Sequence, residues 1–153
     1  TISSVLSMRK NEGKILSEDI LSRLNIIENL AQDIEPLSKK SAAAYREGLR
    51  ERMNSLLKDA AVDEARLLNE AAIFSDRICI DEEVVRLKSH ISLFKDLLKS
   101  SETVGRKLDF LCQEILRELN TIASKTPDIE TSHIIIEAKS ELERVREQVQ
   151  NVE

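Results

Sequence analysis

Acidic and imidazole side chains recur at helical spacing in two stretches of the chain. Glu83 and His90 are seven residues apart, about 20° from eclipsed after two helical turns, and Arg86 lies between them. Glu114 and Glu118 are four residues apart, so on a helix their carboxylates can share one cation. These side chains suit metal binding and acid–base catalysis. A solvated helix surface with ordinary ion pairs accounts for the same spacing, so both interpretations remain open.

Residues 105–125 must form a helix to position the second pair of carboxylates. One apolar stripe at steps of three and four predicts its buried face, and it consists of Leu108, Leu111, Ile115, Leu119 and Ile122. Two polar flanks border this stripe. The first flank consists of Lys107, Glu114, Glu118, Thr121 and Lys125, and the second of Gln113, Arg117, Asn120 and Ser124. Such flanks exceed what solubility requires, although a salt-bridged surface explains them equally well.

The distribution of charge bears on the class of ligand. The formal net charge is −5. Residues 1–60 hold ten Lys and Arg against nine Asp and Glu, whereas residues 61–153 hold 13 against 19. A protein that bound RNA by counterion release alone would show the opposite balance. Carboxylates beside Lys and Arg suit divalent metal ions, which can themselves contact phosphate, although acidic helical proteins without a metal are common.

The composition predicts an all-α protein. Of the 153 residues, 41% are hydrophobic and 33% charged, while three Gly and two Pro are too few for the turns of a β fold. No run approaches the roughly 20 apolar residues of a membrane span, and the first residues do not resemble a signal peptide, so we expect a cytoplasmic protein.

Cys79 and Cys112 are expected to be buried reduced thiols, and His133 a surface residue. HExxH, Walker A and GxGxxG motifs are missing, which argues against nucleotide-triphosphate and dinucleotide chemistry.

Apolar periodicity predicts long antiparallel helical hairpins or a bundle with coiled-coil-like seams. The first helix is expected to end before Pro36, because the residue preceding a proline avoids helical geometry, and a second helix is expected over about 37–58. Asp63 and Asp81 are the predicted N-caps of the next two helices. The chain is thus divided into a helical hairpin region at 1–58 and a C-terminal domain at 59–153.

Three seams support these helices. They consist of Ile20, Leu24, Ile27, Ala31 and Ile34; of Val84, Leu87, Ile91, Phe94 and Leu98; and of Ile135, Ala138, Leu142, Val145, Val149 and Val152. We expect the last seam to bind other subunits, which predicts a homo-oligomer.

Four segments resemble the YicC/YloC family of bacterial endoribonucleases. Residues 105–125 read GRKLDFLCQEILRELNTIASK and resemble the family signature G-R-K-L-D-F-L-x-Q-E-x-x-R-E-x-N-T-I-x-S-K. Residues 81–90 resemble its T-E-E-L-V-R-L-x-S-H, residues 8–14 its M-R-x-x-E-G-x, and residues 141–153 its closing E-x-E-x-x-R-E-Q-V-Q-N-I-E. The chain departs at Leu116, Ala123 and Thr126-Pro127, where the family commonly has Asn, Gly and Ala-Asn. The resemblance covers the family's C-terminal half, and the N-terminal half is absent from these residues.

The resemblance implies metal-dependent cleavage of single-stranded RNA by a homo-oligomer, a hexamer in this family, with Mg²⁺ or Mn²⁺ as the metal. We expect the polar flanks of two helices to face each other and form one pocket when their apolar seams pack. In this pocket the metal is surrounded by Glu83, His90, Glu114 and Glu118, of which His90, Glu114 and Glu118 are catalytic. The RNA phosphates are expected to contact Arg86, Lys107, Arg117 and Lys125. The alternative is a non-catalytic helical module for oligomerisation or adaptor binding.

Overall fold

The computed structural model describes residues 2–57, 61, 63–100 and 104–151. All secondary structure in these ranges is α-helical, which confirms the predicted all-α class. The five helices are α1 (Ile2–Leu57), α2 (Glu64–Arg77), α3 (Asp81–Lys99), α4 (Gly105–Lys125) and α5 (Ile129–Gln150). None of the helices in these ranges is long and apolar enough to cross a membrane.

Helices α1, α3, α4 and α5 form a four-helix bundle, in which α1 packs on α3 and α5, and α4 packs on the same two helices. Ion pairs fix the antiparallel register of α1 and α3: Lys95 Nζ lies 2.7 Å from Glu28 Oε2, and Lys88 Nζ 3.5 Å from Glu35 Oε1. The apolar faces of all four helices join in one core. This core draws on residues from both predicted regions of the chain, so α1 and the C-terminal helices fold around the same interior.

Helix α1 does not break at Pro36, so the expected hairpin within residues 1–58 is wrong. The helix runs for 56 residues with Pro36 inside it, about 84 Å at the usual helical rise. Pro36 is exposed, so the carbonyl that loses its N–H partner can be hydrated. Ile34 on one side of the proline and Ser38 on the other are both buried. Packing on both sides of the proline therefore overrides its local preference to end a helix.

The predicted seams are buried within this single chain. Val84, Leu87, Ile91 and Phe94 are completely buried, and Leu98 is partly buried. The five described members of the last seam are also buried, while Val152 lies outside the described residues. Since α5 packs on α1 and α4 of its own chain, the expectation that its seam binds other subunits is wrong. The seam belongs to the bundle core.

Two regions of α1 extend from the bundle. Every residue from Ile2 to Ile15 is exposed. Gln148, near the end of α5, donates a hydrogen bond to the carboxylate of Asp19 on α1. Helix α5 therefore ends near the level of Asp19 and does not cover the residues of α1 before it. At the other end, α2 packs on α1, with the rings of Tyr45 and Phe74 stacked 3.7 Å apart.

Helix starts confirm one predicted cap and correct another. The Asp63 carboxylate accepts a hydrogen bond from the backbone N–H of Arg66 at 3.2 Å, as expected of an N-cap. Asp81 instead lies in the first turn of α3, and the N-cap position is occupied by Ile80, which has no side-chain cap. Asp81 still places a negative charge at the positive end of the helix.

Candidate functional site

Two residues of the predicted site meet where α3 begins and α4 ends. Lys125 Nζ donates a hydrogen bond to Glu83 Oε1 at 2.6 Å, and another to the backbone carbonyl of Cys79 at 3.2 Å. Burial opposes the ionisation of Glu83. The hydrogen bonds from Lys125 and from the backbone, together with the charges of Lys125 and Arg86, outweigh it, so the pKa of Glu83 lies below its ordinary value. Lys125, predicted to bind RNA, therefore neutralises a buried carboxylate of its own chain.

This pair fixes the register of the two helices. His90 is seven residues after Glu83 on α3, and Glu118 is seven residues before Lys125 on the antiparallel α4. Seven residues cover about two turns on each helix, so His90 and Glu118 lie at the same level along the bundle. Each also lies on the same side of its helix as the Glu83–Lys125 contact. Glu118 is buried and His90 half-buried.

The remaining predicted residues lie near the surface of the same two helices. Glu114 is half-buried and lies one turn from Glu118. The Nη1 atom of Arg117 lies 4.0 Å from the Glu114 carboxylate. The Arg117 side chain is 75% exposed, so this contact leaves it accessible. Arg86 is exposed and forms an ion pair with Glu82 on its own helix. Lys107 is exposed in the first turn of α4.

The predicted metal ligands are not gathered around one point. Across residues 2–57, 61, 63–100 and 104–151, no three His, Cys, Asp or Glu side chains lie close enough together to hold a metal ion. Glu83 and His90 are separated by about 10 Å along α3, and Glu83 already uses one oxygen to bind Lys125. The other oxygen, Oε2, is buried without a hydrogen-bond partner. One copy of the described chain therefore does not supply a complete metal site.

The outward face of α4 forms a shallow groove lined by five polar residues and one leucine. Its lining consists of Gln113, Leu116, Arg117, Asn120, Thr121 and Ser124. Four of these are the second polar flank found in the sequence, so the structure confirms that this flank is a continuous surface. The groove combines one guanidinium with amides and hydroxyls and has no carboxylate among its described lining residues, which suits contact with a polyanion.

A second groove, which the sequence analysis missed, lies between α3 and α4. It has a volume of about 480 Å³ and is lined by Leu93, Leu97, Arg106, Lys107, Phe110 and Leu111. Phe110 is 58% exposed. The signal in the sequence is the position of Phe110, which falls outside the buried stripe of α4. A large aromatic residue off that stripe has to face solvent or a ligand.

The two cysteines differ in their exposure to solvent. Cys112 is buried, as expected, and burial raises the pKa of its thiol to about 12, so it is not reactive at neutral pH. Cys79 is exposed, contrary to expectation, because it lies in the short connection before α3 rather than in an apolar face.

A polar cluster between α1 and α5 has no counterpart in the predicted site. Arg23 donates to Glu141 at 2.8 Å and to Asp19 at 3.0 Å. Glu141 also accepts from Arg144 at 2.7 Å. The acids and bases neutralise each other, so the cluster connects two helices of the bundle.

Comparison with known proteins identifies the family. Residues 34–153 match the family described as "Endoribonuclease YicC-like, C-terminal". A protein of Clostridioides difficile named "Probable endoribonuclease YicC" is 47% identical over 95% of this chain and 50% of its own length. One of the same name from Haemophilus influenzae is 34% identical over 99% of this chain and 52% of its own length. The chain spans about half the length of these curated relatives, and it belongs to the family of YicC-like endoribonuclease C-terminal domains.

Proposed function

We propose that this chain is the RNA-cleaving C-terminal part of a metal-dependent endoribonuclease that acts on single-stranded RNA. The names of the relatives support the class of reaction. The observation that carries the site assignment is the register of α3 and α4, which brings His90 level with the buried Glu118. The cytoplasm is the proposed location of this activity.

The proposed chemistry assigns separate roles to the two residues. The imidazole of His90 can take a proton from the attacking oxygen or give one to the leaving oxygen. Glu118, a buried carboxylate at the same level on α4, would hold the orientation of the imidazole and stabilise its charged form. Glu114, one turn away and less buried, is the second candidate acid or base. Arg117 and Lys107 are exposed along α4 and would contact the phosphates on either side.

Metal dependence remains a proposal about the assembled protein. Glu83, His90, Glu114 and Glu118 do not form a three-ligand cluster in one copy, so further ligands would come from another copy or from protein outside this sequence. The buried, unpartnered Oε2 of Glu83 supports a role for this carboxylate beyond its pair with Lys125. Mg²⁺ and Mn²⁺ are the proposed ions, because both prefer oxygen ligands.

We further propose a homo-oligomer, with six subunits as the family resemblance implies. The support is the projecting end of α1, where Ile2, Val5, Leu6 and Met8 are each more than half exposed. Such residues on one unpacked helix favour association. Sedimentation at tens of micromolar is the test, and Leu6→Glu should shift the protein towards monomer. A wild-type protein that is strictly monomeric would contradict the proposal.

Cleavage of an end-labelled single-stranded RNA tests the proposed activity. The chain is incubated with the RNA and Mg²⁺ or Mn²⁺, with EDTA in a parallel reaction, and the products are separated by length. We expect internal fragments that disappear with EDTA. RNA that is bound but left intact under every metal condition would favour the non-catalytic adaptor.

A further inference from the structure

The groove between α3 and α4 has an apolar floor and an aromatic wall. Leu97 and Leu111 are partly or fully buried at its base, whereas Leu93 and Phe110 are 50% and 58% exposed at its edges. Its volume of about 480 Å³ falls within the usual range of small-ligand sites. The groove thus offers a flat ring and aliphatic side chains to a planar apolar group.

The rim of the groove is cationic. Arg106 and Lys107 line it, and the described residues of the lining include no carboxylate. The rim lies in the first turn of α4, which also lacks acidic residues and carries the positive end of the helix dipole. Asp109, the nearest acid of α4, instead receives hydrogen bonds from Gln113 at 2.9 Å and Arg146 at 3.4 Å.

The groove lies next to the polar surface of α4. Phe110, Gln113, Arg117 and Asn120 follow one another at steps of three and four on the exposed side of this helix. An aromatic ring, cations and amides therefore alternate along about 15 Å of surface. This alternation is the chemistry with which proteins bind single-stranded nucleic acids.

We propose that this groove binds an unpaired base of single-stranded RNA, which stacks on Phe110 while Arg106 and Lys107 contact the adjoining phosphates. The inference rests on the proposed function and adds a substrate subsite on the surface next to the predicted catalytic residues. The cationic rim favours RNA over an apolar protein helix, because the phosphates of RNA bring negative charge to the rim and an apolar helix brings none. The 2′-hydroxyl and base identity are not read by stacking, so the subsite accepts any base.

The tryptophan-free sequence allows a direct optical test. Phe110→Trp introduces a single tryptophan into the groove, and Ile136→Trp introduces one at a similarly exposed apolar position on α5, where Ile136 is 65% exposed. Both are made in a His90→Ala background and titrated with a ten-nucleotide oligouridine in Mg²⁺. We expect the RNA to quench fluorescence at position 110 and to leave it unchanged at position 136.

Affinity provides the second arm of the same experiment. Phe110→Ala should weaken RNA binding about tenfold, whereas Phe110→Tyr should retain it, because stacking of one base contributes about 1–3 kcal/mol. An abasic site in the RNA should reduce the difference in affinity between the unsubstituted chain and the Phe110→Ala variant. Binding without quenching at position 110, and with no loss in Phe110→Ala, overturns the subsite but leaves the proposed function standing.

Two further results would be decisive. If Phe110→Ala changes the sedimentation of the protein while its RNA affinity is unchanged, the groove is a protein interface and the inference is wrong. If the unsubstituted chain binds no single-stranded RNA, the proposed function itself fails, and the subsite fails with it.

Discussion

Lys125 Nζ lies 2.6 Å from Glu83 Oε1, and this contact joins the end of α4 to the start of α3. The two residues were predicted to have separate roles, one as an RNA contact and the other as a metal ligand. Their pairing gives both a structural role and places His90 and Glu118, two turns further along, at the same level of the two helices. The geometry of the candidate site therefore depends on an ion pair two helical turns away.

Lys125→Ala should destabilise the bundle. The Glu83 side chain is 8% exposed and that of Lys125 33% exposed, so removal of the amine leaves a buried carboxylate unpaired. We expect the free energy of unfolding to fall by about 2 kcal/mol, less than for a fully buried pair because water reaches the lysine. Urea unfolding measures this loss. In a Glu83→Gln background the same substitution should have a much smaller effect, and equal losses in the two backgrounds would contradict the assigned pairing.

The pair should also make stability depend on pH in the acidic range. The folded-state pKa of Glu83 lies below its ordinary value of 4.5, so the unfolded chain binds the proton more tightly. The stabilisation is fully present above the unfolded pKa and is lost as the pH falls through the folded-state pKa. The stability difference between wild type and Glu83→Gln should therefore shrink between about pH 6 and pH 3. A difference that grows on acidification would show that the pKa is raised instead.

Pro36→Ala tests the continuous helix α1. In a helix interior, proline lacks the N–H donor and crowds the preceding turn, so its replacement should stabilise the fold by about 1–3 kcal/mol. The gain is partly offset because alanine leaves the unfolded chain more flexible. Urea unfolding of Pro36→Ala is compared with Lys39→Ala, an exposed helical control. A helix that ended before Pro36 would gain nothing from the change.

Periodicity predicted much of this fold, because apolar spacing reports directly which helix face is buried. Ile20 to Ile34, Val84 to Phe94 and Leu108 to Ile122 all lie in the core as expected. The predicted helix end before Pro36 was wrong, because packing on both sides of the proline outweighs its local conformational preference. The final seam misled for a different reason: spacing shows that a face is buried, but not whether its partner belongs to the same chain.

The candidate site was less predictable, because its contacts cross between helices. Spacing placed Glu114 and Glu118 on one side of α4, but it carried no information on which residue of α3 would face them. The Glu83–Lys125 register depends on how two helices slide along each other, which the whole core decides. Phe110 had a readable signal in its position off the buried stripe, whereas the groove beside it required Leu93 and Leu97 from another helix.

Arg117→Ala should weaken RNA binding without changing the fold. The side chain is 75% exposed and its contact with Glu114 is long at 4.0 Å, so its loss should have little effect on stability. If Arg117 contacts one phosphate, the slope of log affinity against log salt should decrease by about one. Arg66→Ala, an exposed arginine on α2, is the matched control. An unchanged slope would remove Arg117 from the proposed RNA surface.

The central claim is that His90 and Glu118 take part in RNA cleavage. The most direct test of it uses a chimera of this chain and a longer relative. A chimera in which this chain replaces the matching half of the Clostridioides difficile protein is given end-labelled single-stranded RNA and Mg²⁺ or Mn²⁺. We expect internal cleavage that falls about 100-fold or more in His90→Ala and Glu118→Gln, while His133→Ala, on an exposed position of α5, retains activity. Full turnover by the His90→Ala and Glu118→Gln chimeras, with saturating metal and RNA, would contradict the account.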